Sequence, residues 1–86
     1  MRIGSLAVLP QNSYAVNLLI FKTNIVNKKQ AMKVAKLLDA ENDILRWNID
    51  RQDVDHVLRI EAVNIGTHKI ISIIQEAGHF CEELAG

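Results

Sequence analysis

Cysteine is nearly absent from this 86-residue chain, where Cys81 stands alone. A single thiol forms no intrachain disulfide, so the fold must rest on its hydrophobic core. It also suits a reducing compartment, and the cytoplasm is the expected location. An excess of one charge is missing too. Ten basic and ten acidic residues cancel to a formal net charge of zero. That balance argues against nucleic acid as a partner, because phosphates demand a basic surface. It argues equally against an electrostatic membrane anchor. No apolar run approaches the length of a membrane-spanning helix. The opening "MRIGSLAVLPQ" lacks the longer apolar centre and cleavage pattern of a signal peptide. Proline occurs once, at Pro10, and the polar Gln11, Asn12 and Ser13 behind it mark a boundary.

Catalytic constellations are also missing. Ser5, Ser13 and Ser72 have no base placed beside them in the pattern, and no glycine-rich phosphate loop occurs. Nothing here asks for an enzyme or a cofactor. What is present is a soluble, globular composition, 49% apolar and 23% charged. The length suits one domain. Residues 1–15 read as an N-terminal tail, either an extra strand ended by Pro10, a disordered segment or a product of the start codon. The domain is placed at residues 16–86.

"VNLLIFKT", Val16 to Thr23, is short and rich in branched and aromatic residues, which predicts a strand. A helix follows at once. Ala31, Val34, Ala35 and Leu38 fall on one helical face. Asn27 is placed as the N-cap and Gln30 three residues on, in capping-box spacing. "ILRWNID" alternates, with Leu45, Trp47 and Ile49 expected on the buried face. "HVLRIEAV" alternates again, with Leu58, Ile60 and Ala62 inward and Val57, Arg59 and Glu61 outward. Joined by "RQDVD", the two runs predict an antiparallel hairpin. A second helix is expected from an N-cap at Thr67, through Ile70, Ile71, Ile74 and Ala77, to a stop at Gly78. "HFCEEL" closes the chain as a last strand. The order β-α-β-β-α-β predicts an α+β ferredoxin-like sandwich, a four-stranded antiparallel sheet with both helices on one face.

This order resembles the heavy-metal-associated domain family of copper chaperones, mercury-binding proteins and metal-ATPase N-terminal domains. The likeness runs from about Asn17 to Leu84. Its most telling piece is the second helix ending in Ala77-Gly78 followed by the aromatic Phe80. The resemblance implies a Met-x-Cys-x-x-Cys metal loop after the first strand. Aligned on Val34 and Leu38, this chain has Ile25 at the Met position and Asn27 and Gln30 at the two cysteines. Amides do not replace thiolates for soft cations, so the dithiolate site is absent. Asn27 and Gln30 have instead a helix-capping role available.

Other candidates are fewer. His79 and Cys81, two apart, would share a face of the last strand and suit zinc or copper. The plainer reading of Cys81 is a small buried apolar residue. Asp50, Asp53 and Asp55 lack calcium-loop spacing and read as a solvated turn. Lys28, Lys29, Lys33 and Lys36 form a charged helix face that reads first as solvated, and otherwise as able to attract an anion or an acidic partner. Leu18 and Ile20, near Val57, are expected on the sheet face that carries no helices, a possible interface with another protein or a second copy. The expected function is a non-enzymatic domain acting by protein contact, through the open sheet face or a sheet edge. The alternatives are a metal-handling protein using His79, Cys81 and a partner's ligands, or a small-molecule regulatory module.

Overall fold

A computed structural model of the chain describes residues 16–84, so the expectations for the N-terminal tail lie outside the described residues. Six elements follow one another: β1 (Asn17–Thr23), α1 (Lys28–Asp39), β2 (Ile44–Asp50), β3 (Val57–Ala62), α2 (Thr67–Glu76) and β4 (Cys81–Glu83). The strands form one sheet in the order β2-β3-β1-β4, and every neighbouring pair is antiparallel. This is the interleaved βαββαβ sandwich that the alternation of periods predicts.

The core lies between the helices and one sheet face. Phe21 and Leu58 are paired across β1 and β3, as are Leu19 and Ile60. Phe21, Leu58 and Ile60 are fully buried with Val34 and Leu38 of α1 and Ile70 and Ile74 of α2. The periods of 2 and 3.6 therefore converge on one apolar layer.

Both ends of α2 follow from local chemistry. Gly66, not Thr67, is its N-cap, and no side chain caps it. Thr67 is already helical, and its hydroxyl donates to Glu83 Oε2 at 3.2 Å. At the other end Gly78 adopts φ +89. The Gly78 N–H reaches Gln75 O at 2.9 Å, and the His79 N–H reaches Ile74 O at 3.1 Å. That pair of bonds is the Schellman termination, which favours glycine at the left-handed position.

Three expectations about the strands need correction. Leu45 is 56% exposed, whereas Ile44, Trp47 and Ile49 pack on the core. Ile44 opposes Ala62 and Arg46 opposes Glu61, so β2 bulges by one residue at Leu45. An extra residue breaks the two-residue period and turns Leu45 outward. The last strand is shorter than "HFCEEL", because the Schellman turn holds His79 in the loop and β4 starts at Cys81. Finally, Val57 is 5% exposed and offers little surface. The connection at this end bends back to β1, where Asp55 O accepts from the Thr23 N–H at 3.1 Å.

Leu18 is 59% exposed on the face away from the helices, and Ile20 is half-buried. Their cross-strand partners are Glu61 and Arg59, so that face is mostly charged. The aspartates of the β2–β3 connection serve the turn itself. Asp50 Oδ1 accepts from Gln52 and Asp53 N–H groups, and Asp53 Oδ1 accepts from Asp55 N–H.

Candidate functional site

The loop between β1 and α1 occupies the place where the resemblance puts a pair of cysteines. It begins at Thr23, which is 3% exposed. The Thr23 hydroxyl donates to His56 O at 2.6 Å and accepts from the Ile25 N–H at 3.2 Å. Ile25 is fully buried and anchors the loop in the core. Val26, Asn27 and the lysines beyond it are exposed.

Amide side chains close the rest of the loop. Asn27 Oδ1 accepts from the Gln30 N–H at 2.8 Å, and Gln30 Oε1 accepts from the Val26 N–H at 2.9 Å. This is a reciprocal cap whose return bond lands one residue before the N-cap. Asn24 Oδ1 accepts from the Phe80 N–H at 3.0 Å and lies 3.2 Å from His79 Nδ1. The loop is thus tied both to its own helix and to the α2–β4 turn.

His79 and Cys81 do not act together on one strand face. His79 stands in the turn with its ring against Asn24. Cys81 opens β4, with Thr23 as its cross-strand partner, and belongs to the core. Burial pushes the Cys81 thiol up to about 11, so it stays protonated at neutral pH. A soft cation needs the thiolate. Among the described residues no group of three or more His, Cys, Asp or Glu side chains is placed to hold a metal ion. Among the described residues the donors of this loop do not fit Cu(I), and hydrogen bonds already occupy its amides.

The exposed face of α1 is basic. Lys28, Lys29, Lys33 and Lys36 surround the exposed Met32, and the first turn has no acidic residue. Asn24 and Trp47 escaped the sequence reading as polar anchors. The Trp47 indole N–H donates to Asp39 Oδ1 at 2.8 Å, tying β2 to the end of α1. No spacing rule signals either bond, because each joins separate elements.

No protein-family model matches this sequence, and no curated protein sequence matches it. Solved structures do. The yeast copper transporter domain Ccc2a superposes with a TM-score of 0.70 at 19% identity, over 83% of this chain and 97% of that one. The first domain of the human copper chaperone CCS gives 0.69 at 10% identity, over 80% and 93%. The Atx1–Cu(I)–Ccc2a complex contains a chain that gives 0.71 at 19% identity, over 83% and 97%. The fold is that of the heavy-metal-associated domains. This heavy-metal-associated fold comes here with one cysteine, and that cysteine is buried in the core rather than presented by the β1–α1 loop.

Proposed function

We propose that this chain is a non-enzymatic protein-contact domain on a heavy-metal-associated scaffold, without a dithiolate site. The observation that carries this reading is the closed loop. Asn24, Asn27 and Gln30 spend their side-chain oxygens on backbone N–H groups where a carrier would present sulfur. The contact surface is the outer face of α1, where four lysines ring Met32. Charge on a surface of this kind steers encounter with an acidic protein. The open sheet face serves less well, because Leu18 and the half-buried Ile20 stand among Arg59, Glu61 and Arg46. The Atx1–Cu(I)–Ccc2a complex is a precedent for protein contact by this fold. No helix among the described residues is long and apolar enough to cross a membrane, and the lone thiol suits a reducing cytoplasm.

The test is a Cu(I) titration against a competing chelator. The natural chain should fail to take one equivalent from the chelator, whereas Asn27→Cys with Gln30→Cys should acquire that ability. Stoichiometric Cu(I) binding by the natural chain would overturn the reading.

A further inference from the structure

β2 is an outer strand of the sheet, so one of its backbone edges has no strand beside it among the described residues. Such an edge is a template for another strand unless a bulge, a proline or uncompensated charged side chains block it. The bulge of β2 lies at Leu45, near its start. From Arg46 to Asp50 the pairing with β3 is regular, and these five residues include neither proline nor lysine.

Arg46-Trp47-Asn48-Ile49-Asp50 complements itself when read backwards. We propose that β2 pairs antiparallel with β2 of a second copy about a twofold axis through Asn48, joining two sheets into one. Arg46 then opposes the other copy's Asp50, and Trp47 opposes its Ile49, each relation occurring twice. Asn48 meets its own symmetry mate. Trp47 and Ile49 pack on the helix side, so the paired faces agree: apolar beside apolar there, and opposite charges on the open side.

Neighbouring registers are poorer. An axis at Trp47 puts Arg46 opposite Asn48 and Leu45, at the bulge, opposite Ile49. An axis at Ile49 leaves Trp47 opposite Arg51. An axis between residues sets Trp47 against Asn48, or Asn48 against Ile49, side chains that lie on opposite faces of the strand. Only the Asn48 axis satisfies both charges and both apolar residues.

The monomer leaves these groups available. Arg46 has a side chain 74% exposed, and its ion pair with Glu61 at 3.3 Å is exposed as well. Asp50 uses one carboxylate oxygen for its turn. This association is separate from the α1 contact and does not depend on the β1–α1 loop.

Sedimentation of the full chain across a concentration series tests the proposal. The natural chain should show a monomer–dimer equilibrium. Asn48→Lys, which sets two lysines face to face at the axis, should weaken dimerisation at least about tenfold. Arg46→Asp should do the same, and Arg46→Asp with Asp50→Arg should restore the dimer by exchanging the charges. Amide NMR spectra identify any variant that loses its fold, and Asn48→Lys, at an exposed position, keeps the test decisive if Asp50→Arg disturbs its turn. A strict monomer at millimolar concentration would overturn the proposal. So would a dimer indifferent to Asn48→Lys but broken by Leu18→Lys.

Discussion

Asn24 Oδ1 lies 3.2 Å from Nδ1 of His79 and accepts the Phe80 N–H at 3.0 Å, so one side chain joins the β1–α1 loop to the α2–β4 turn. The two loops are thereby cross-braced. The brace makes the loop a structural joint, and its removal has a defined effect.

Asn24→Ala should lower stability by roughly 1 kcal/mol, the usual contribution of a hydrogen bond of this kind. Amide hydrogen exchange should accelerate at Phe80 while the core strands keep their protection. Unchanged exchange at Phe80 would show that the brace contributes nothing in solution.

Asn27→Ala should lower stability by about 0.5–2 kcal/mol, because it removes the side-chain acceptor for the Gln30 N–H. Asn27→Asp should not, because a carboxylate keeps the acceptor and adds a favourable charge to a first turn that has none. Denaturant midpoints of the two variants should therefore fall on opposite sides of a common reference, or the Asp variant should match it.

Cys81 sets a pH dependence. Burial raises its thiol from the ordinary value of 9.0 to about 11. A raised acid of this kind contributes stability that is complete below pH 9 and lost as pH climbs through about 11. The stability difference between the natural chain and Cys81→Ala should narrow across that window. At pH 8, alkylation of the folded chain should be slower than that of the unfolded chain by about a hundredfold or more. Equal alkylation rates would place the thiol outside the core.

The α1 face should respond to salt. An oligoglutamate peptide should shift amides of residues 28–36 first, and the shifts should fade towards molar salt, where the screening length falls to about 3 Å. Lys29→Glu with Lys33→Glu should abolish them at low salt. Shifts centred instead on Leu18 and Ile20 would move the contact surface to the open sheet face.

The chain order of strands and helices was readable from residue type and spacing, because the branched run of β1 and the periods of the later elements both reflect local backbone geometry. Val34 and Leu38 on α1, and Leu58, Ile60 and Ala62 on β3, needed nothing beyond their spacing. The missing thiolate pair was equally plain, since ligand chemistry depends on residue type. Tertiary structure decided the rest. Only the pairing with β3 reveals the bulge that turns Leu45 outward, and only the sheet order makes β2 an edge. The burial of Val57, the separation of His79 from Cys81 and the Asn24 brace all depend on segments distant in the chain. A residue's own neighbours set its periodic face, whereas its hydrogen-bond partners and exposure are set by which remote segment the fold lays beside it.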